Sequence, residues 1–363
     1  MGGFGPAIPL LQADQGTSGA IAGLHGTALG LSSILAGVFN ARLVHRYGRY
    51  QSAWIGIALF LFGAFFFVTL PLPYQTITSI FIVGVGVTIA IANTVTYLTG
   101  HFEEHAPRAV SQNNGVTSFF SLIGTVTIGI LASTAISWRF GLLACFPFAA
   151  AIYLTLGRAH SPEHIPDGDG RQRGRLPKRF WYSWIGLVFT ISTEFAIVFW
   201  AAALLRERTG TSPSLSTTLV LAFPLGMFLG RWFGTYVKPA LGIDARLRAI
   251  LALQFSGFVI FWASEMVFTS FISLLLIGLG TSMQFTLTTL RLLSFGNGKT
   301  DLAMGYVALA SGIAIAGSPF ILGALADQIG IISAYLIVPI FMSIAFAIVL
   351  AIPIKQSDEA RGH

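Results

Sequence analysis

The sequence predicts an all-α polytopic membrane protein, and three observations support this fold class. Eleven long apolar runs, separated by short loops, fill the chain from residue 18 to residue 353. Hydrophobic residues make up 54% of the chain and charged residues only 10%, against about 25% charged in an ordinary soluble domain. Lys and Arg are concentrated in every second loop. A helix of about 20 apolar residues can cross a bilayer because it satisfies its own backbone hydrogen bonds.

Each predicted span is an apolar run of about 18 residues or more, which is long enough to cross the hydrocarbon core as a helix. The 40 glycines of the chain fit this interpretation, because small residues let membrane helices approach one another closely. We therefore expect eleven complete transmembrane helices. In chain order they are predicted at 18–40, 52–70, 75–98, 112–136, 140–157, 181–204, 214–237, 249–268, 270–293, 302–325 and 329–353.

The longest loop divides the chain into two halves of similar length. It is rich in proline, glycine and charge, and it is too polar to pack in a core. We predict an N-terminal helical bundle at 1–157, a cytoplasmic linker at 158–179 and a C-terminal six-helix bundle at 180–363. Sparse identities at similar offsets between the halves favour an internal parallel repeat, which is common among transporters.

The distribution of basic residues predicts the orientation in the membrane. Eighteen of the 21 Lys and Arg residues, Arg231 among them, fall in or next to loops on one side, and only Arg139, Arg206 and Arg208 fall on the other. The positive-inside rule assigns the first side to the cytoplasm. We therefore expect a multi-pass protein of the cell membrane with a cytoplasmic C-terminus. The net charge of +7 follows from this asymmetry, so no nucleic-acid partner is expected.

The loop at 41–49 resembles a known signature. It reads ARLVHRYGR and is similar to G-x-x-x-D-R-x-G-R, found between spans two and three of the major facilitator superfamily. Arg46, Gly48 and Arg49 match this signature, whereas Ala41 and His45 stand where Gly and Asp are usual. Looser resemblances to bacterial members of the family occur at 194–206 and 317–327.

The resemblance covers nearly the whole chain and carries expectations for fold and mechanism. It implies two six-helix bundles around a central cavity, with alternating access by rocking of the two halves. It also implies a gating role for Arg46, Gly48 and Arg49. The family pattern has twelve spans, and residues 1–13 look like the outer end of the first. Thirteen residues cannot cross about 30 Å of hydrocarbon as a helix, so we expect that most of this span is missing, most simply through a start codon assigned too far downstream.

Glu194 is the strongest candidate for a functional residue. It lies in span 181–204, with about 20 Å of helix between it and the cytoplasmic end. An ionised carboxylate is costly at this depth, and such residues usually face a cavity, pair with a base or exchange protons. We predict that Glu194 carries a proton or contacts the substrate. The alternative is a protonated carboxyl group that makes a structural hydrogen bond between helices.

Further polar side chains are predicted to line the path, each with an alternative. Asn114, Ser118 and Ser121 share one face of span 112–136, where helix packing is an equally good explanation. Gln284 lies at mid-depth and favours a cavity, because an amide needs several partners. Asn93 is a weaker candidate. Trp200 would shape a binding site or anchor the helix at the membrane interface.

Two features are assigned no catalytic or metal-binding role. Arg291 lies near the cytoplasmic end of its span, and its side chain is expected to extend toward water. His101, Glu104 and His105 spell H-x-x-E-H, a pattern found in some zinc peptidases, but they lie in a short loop without an evident third ligand. We therefore predict no metal, no cofactor and no enzymatic activity.

The leading functional hypothesis is a secondary active transporter that moves a small organic solute, driven by the proton gradient. Its expected partners are the solute, protons and the lipid bilayer, and it is expected to be a monomer. The alternatives are a membrane sensor or scaffold that binds ligand without net transport, and a truncated transporter without function. A membrane enzyme is poorly supported, because no acid, base and metal ligands gather at one depth. The identity of the solute and the direction of transport do not follow from these residues.

Overall fold

A computed structural model of the chain describes residues 3–102, 106–156, 174–234 and 242–354. These ranges form α-helices and one 3-10 helix, and they contain no strand. The predicted all-α fold class is confirmed. The helices are α1 (Phe4–Gln15), α2 (Gly19–Thr69), α3 (Pro73–Phe102), α4 (Ala106–Leu131), the 3-10 helix (Trp138–Ala144), α5 (Cys145–Leu156), α6 (Lys178–Thr209), α7 (Pro213–Leu219), α8 (Ala222–Phe233), α9 (Ile243–Ala263), α10 (Val267–Thr281), α11 (Gln284–Ser294), α12 (Thr300–Ile329), α13 (Ile331–Ala334) and α14 (Ile337–Ala351).

Eleven helical stretches in the described ranges are long and apolar enough to cross a membrane. They agree with the predicted spans in number and order. Three spans combine two helices each, α7 with α8, α10 with α11, and α13 with α14, and another combines the 3-10 helix with α5. Their bounds are Gly19–Gly37, Arg42–Thr69, Pro73–Leu98, Ala109–Leu131, Trp138–Thr155, Lys178–Thr209, Pro213–Phe233, Ile243–Ala263, Val267–Ser294, Leu302–Ile329 and Ile331–Ala351.

The segment 41–49 differs from its predicted form as a loop. The segment is helical on both sides of a kink at Gly48, whose φ is 78° and ψ 164°, and this kink separates two spans. A positive φ of this kind is strained for a residue with a Cβ atom, so glycine is required at the break. The span that follows therefore begins directly after Gly48, close to its predicted start at residue 52.

Helix α1 is short and buried. Its 12 residues extend about 18 Å at the usual rise of a helix, and they pack mainly against α6 and also against α2. Phe4, Ile8 and Leu11 enter the largest hydrophobic core together with Ile197 and Leu204 of α6. The N-terminal segment is thus an integral part of the contact between the first and last parts of the chain.

The alternation of spans defines two ends of the molecule. We call the end at which α5 finishes and α6 begins the linker end, and the other the opposite end. For the two parts of the chain we use the names N half (α1–α5) and C half (α6–α14), while the predicted domain limits at 157 and 180 stay a prediction. The halves meet where α2 packs against α12, α4 against α7 and α8, and α1 against α6.

Helices α2 and α12 pack closely where glycines of α2 face α12. A Cβ atom added to Gly23 would lie 2.7 Å from the Cα of Phe320, and one added to Gly26 would lie 2.7 Å from the Pro319 ring. Toward the linker end the same test finds no described atom within 4 Å of Gly37 or Gly305. The two helices are therefore tightly packed in the part of their length that lies near the opposite end.

Candidate transport site

Arg231 connects the two halves of the protein. It lies in the last turn of α8, where its Nη1 donates to Ser118 Oγ on α4 at 2.8 Å. Its Nε donates to the carbonyl of Ser282 at 3.2 Å, between α10 and α11. Its own carbonyl accepts a hydrogen bond from Ser111 Oγ of α4 at 3.2 Å. One arginine thus joins two elements of the C half to a helix of the N half.

Arg231 was not among the predicted site residues. As expected for a basic residue at the end of a span, it lies in the last turn of α8, two residues before the span ends, and its side chain is half-buried. The signal that would have identified it was present, since the predicted span 214–237 continues for six residues beyond it. A charged residue inside a span is a functional candidate by default.

Glu194 lies about midway along α6. Its side chain is half-buried, and it accepts no hydrogen bond from any residue that the structure describes. Glu194 and Arg231 lie within electrostatic range of one another, but no ion pair of 4 Å or less joins them. The structure therefore brings a carboxylate and a guanidinium of the C half to one region, next to Ser118 of the N half.

The predicted polar face of α4 contributes one residue directly to this region. Ser118 is buried, accepts the hydrogen bond from Arg231 and donates its own proton to the carbonyl of Asn114 at 3.0 Å. Both hydrogen-bonding functions of its hydroxyl group are therefore used. Asn114 and Ser121 are half-buried on neighbouring turns. Their predicted place on the path stays a prediction.

Gln284 belongs to a buried amide network within the C half. Its Nε2 donates to Gln254 Oε1 of α9 at 2.8 Å, and Gln254 Nε2 donates to Thr281 Oγ1 at 2.8 Å. These hydrogen bonds connect α9 to the end of α10 and to the start of α11, on either side of the interruption between them. The Oε1 of Gln284 has no donor among the described residues. In this structure the side chain packs inside the C half, and its contribution to a path stays a prediction.

Asn93 and Trp200 are also buried in helix contacts. Asn93 donates to Asn40 Oδ1 at 2.8 Å and thereby joins α3 to α2 within the N half. Trp200 donates its indole proton to the carbonyl of Pro319 at 2.9 Å and joins α6 to α12. Each has only 2% of its surface exposed. Their predicted contact with a substrate stays a prediction, and in this structure both residues pack helices together.

The residues of the predicted gating segment lie at the linker end. Arg46 is exposed, and its guanidinium stacks over the ring of Tyr47 at 5.3 Å. Arg49 is half-buried immediately after the break at Gly48. The structure thus supplies a conformational reason for Gly48, and the gating role of the two arginines stays a prediction.

The prediction that Arg291 extends toward water is wrong. Its side chain is 2% exposed and forms a 2.7 Å ion pair with Asp244. It also donates to Ser183 Oγ at 2.9 Å and to the carbonyl of Ile352. Asp244 in turn accepts from the backbone N–H of Ile354 at 2.7 Å. This cluster fastens α6, α9 and the end of α14 together near the linker end.

The H-x-x-E-H segment falls partly outside the described residues. His101 is described and stacks on Tyr97 with 5.6 Å between ring centroids, whereas Glu104 and His105 are not. Among the described residues, no group of three or more His, Cys, Asp or Glu side chains could hold a metal ion.

Comparisons with known proteins agree with this architecture. A crystal structure of a mutant of the nucleoside transporter NupG superimposes with a TM-score of 0.73 at 12% identity, covering 97% of this chain and 96% of that one. A bacterial homologue of the human lysosomal transporter Spinster, crystallised in an inward-facing and occupied conformation, gives 0.70 at 14% identity and covers 97% and 93%. No curated protein sequence matches the chain. The family model of the Major Facilitator Superfamily matches residues 1–295, and the chain belongs to this superfamily of membrane transporters.

Proposed function

We propose that this transporter is secondary active, that it moves a small organic solute by alternating access, and that proton binding at Glu194 drives the cycle. The observation that carries the proposal is the position of Glu194. It is the carboxylate at mid-depth in α6, it has no hydrogen-bond donor among the described residues, and it lies within electrostatic range of Arg231. A charged carboxylate is costly at this depth in the membrane, so binding of a proton removes an unfavourable charge and can shift the balance between conformations.

The contact between the halves supports the alternating-access part of the proposal. Arg231 and Ser118 lie on opposite halves and are hydrogen-bonded to each other, so rocking of the halves changes the surroundings of Arg231. Helices α2 and α12, one from each half, are closely packed near the opposite end, and rocking of the halves would have to separate them there.

The positive-inside rule supports the orientation. It places the linker end in the cytoplasm, and the C-terminus with it. We further propose that the protein is a monomer in the cell membrane and works without a metal or cofactor. Its solved neighbours are below 25% identical, and their named substrates are therefore not transferred to it.

The proposal is tested by solute flux in proteoliposomes with an imposed pH gradient. A labelled-solute screen identifies a transported compound, and the wild-type protein is compared with Glu194→Gln. We expect the variant to lose gradient-driven accumulation and to keep exchange of solute without a gradient. Glu207→Gln is the matched control, because Glu207 is an exposed residue of the same helix. Saturable binding without any flux in the wild type would instead support a sensor.

A further inference from the structure

Glu194 and Arg231 both have hydrogen-bonding capacity that the described residues leave unused. A guanidinium group has five N–H donors. Arg231 uses two of them, one to the carbonyl of Ser282 and one to Ser118 Oγ. The carboxylate of Glu194 accepts nothing from the described part of the chain. Both side chains are half-buried, so an additional molecule can reach the unused donors and acceptors.

The separation of the two charges is informative. They lie within electrostatic range of each other, yet they form no ion pair within 4 Å. Arg231 instead donates hydrogen bonds to Ser118 of the N half and to the carbonyl of Ser282 of the C half. The protein thus keeps a negative and a positive group apart at the boundary between its halves. A low-dielectric surrounding makes this costly unless the groups gain partners.

We propose that the transported solute is a zwitterion, with its cationic amine at Glu194 and its carboxylate at Arg231. This inference rests on the proposed function and names the chemical class of its substrate. A guanidinium binds a carboxylate through two parallel hydrogen bonds, and Arg231 has three N–H groups available for this. Ser118 is a positioning residue, because its hydroxyl group holds one nitrogen of Arg231.

Other solute classes satisfy the site less well. A neutral solute provides no counter-charge to Glu194 or to Arg231. A singly charged solute provides a counter-charge to one of them and leaves the other without one. A buried charge left without a partner costs several kcal/mol in typical proteins. A solute with both charges provides a partner for each group and offsets both costs at once.

The proposed binding mode has a consequence for proton coupling. The amine of the solute and a proton compete for the same carboxylate of Glu194. Acidification therefore weakens solute binding, and solute binding releases the proton. A zwitterion entering from one side exchanges for a proton that leaves the carboxylate, with no other ion required.

The test uses the purified full-length protein and matched probes. Each of leucine, phenylalanine and glutamine is compared with its N-acetyl acid, which keeps only the negative charge, and with its amide, which keeps only the positive charge. Glycine betaine extends the set to a zwitterion without N–H groups. Binding is measured by the shift in the thermal unfolding midpoint and then by titration. We expect stabilisation by at least one zwitterion and at most weak stabilisation by its singly charged analogues.

Variants assign the two ends of the bound probe. Arg231→Gln and Glu194→Gln should each weaken binding of the zwitterion by about tenfold or more, as is typical when one partner of a desolvated charge pair is removed. In Arg231→Gln the free amino acid and its amide should bind equally weakly, because the residue that recognises the carboxylate is gone. Arg231→Lys keeps the charge and should restore part of the affinity, and Glu207→Gln should have no effect.

The outcomes separate this inference from the proposed function. If no zwitterion binds, or if the N-acetyl acid or the amide binds as tightly as the free amino acid, the inference is overturned. Transport of a neutral or singly charged solute that still requires Glu194 would overturn it while leaving proton-coupled transport intact. Zwitterion binding that is equal in Glu194→Gln and in the wild type would remove the proposed role of the carboxylate in substrate recognition.

Discussion

Asp327 at the end of α12 accepts a hydrogen bond from the backbone N–H of Gly19 at the start of α2, with 2.7 Å between Oδ1 and the nitrogen. Its second oxygen accepts from the N–H of Ala20 at 2.8 Å. The first N–H groups of a helix have no partner inside the helix and carry partial positive charge, so a carboxylate is well placed there. This pair joins the C half to the N half at the opposite end, next to the close contact of Gly23 with Phe320.

The contact must break if the opposite end opens during transport. Asp327→Asn removes one of the two acceptor oxygens and the negative charge, and a charge at a helix N-terminus typically contributes about 0.3–1 kcal/mol. We expect faster hydrogen–deuterium exchange at the first turn of α2, because this end opens more often. Glu265→Gln, at an exposed acid of the same end, is the control. Unchanged exchange in Asp327→Asn would mean that the carboxylate does not hold this end closed.

Gly48 gives a second prediction, on stability. Its φ of 78° is strained for any residue with a Cβ atom, so Gly48→Ala should destabilise the protein by about 1 kcal/mol or more. Gly37→Ala is the matched control on the same helix, since an added methyl group meets no described atom within 4 Å there. We expect a lower thermal unfolding midpoint for the first variant and little change for the second. Equal unfolding midpoints for the two variants would show that the backbone at position 48 accommodates alanine without a loss of stability.

The ion pair of Arg291 and Asp244 gives a third prediction. Removing one partner of a buried pair leaves the other without compensation and typically costs about 3–5 kcal/mol. Arg291→Gln should therefore lower the thermal unfolding midpoint clearly, whereas Arg206→Gln, at an exposed arginine, should not. The double variant Arg291→Gln with Asp244→Asn should lose less than the sum of the single variants. Strict additivity would argue that the pair contributes little to stability.

Ser118 gives a fourth prediction, on solute affinity. Ser118→Ala removes the hydrogen bond to Arg231 and leaves the charge itself in place. A hydrogen bond of this kind contributes about 1 kcal/mol, so the KM for the solute should rise about 2- to 10-fold, with less effect on thermal stability. Thr117→Ala is the control, because Thr117 is exposed and donates only to the carbonyl of Asn113. An unchanged KM would mean that Arg231 keeps its position without Ser118.

The sequence predicted the spans well because their signal is local. Span length and apolar content depend on the bilayer, and each predicted run corresponds to one of the eleven observed spans. The conformation of segment 41–49 was harder to predict from the sequence, because whether a short connection stays helical depends on how the flanking spans pack. The position of the break could be anticipated only from the identity of Gly48.

The candidate site was only partly predictable. The depth of Glu194 followed from its place in an apolar run. The direction in which a side chain points depends on residues far away in sequence, such as Asn40 for Asn93, Gln254 for Gln284 and Pro319 for Trp200. Hydropathy alone does not show whether a polar side chain lines a transport path or packs against a neighbouring helix.

The most direct test of the proposed mechanism is proton movement driven by a solute gradient in proteoliposomes that contain a trapped pH indicator and start without a pH gradient. We predict that addition of a transported solute to wild-type vesicles moves protons in step with the solute. Vesicles with Glu194→Gln should exchange the solute without a change in internal pH. The proposed mechanism is contradicted if Glu194→Gln moves as many protons per solute as the wild type, or if the wild type transports solute without moving protons.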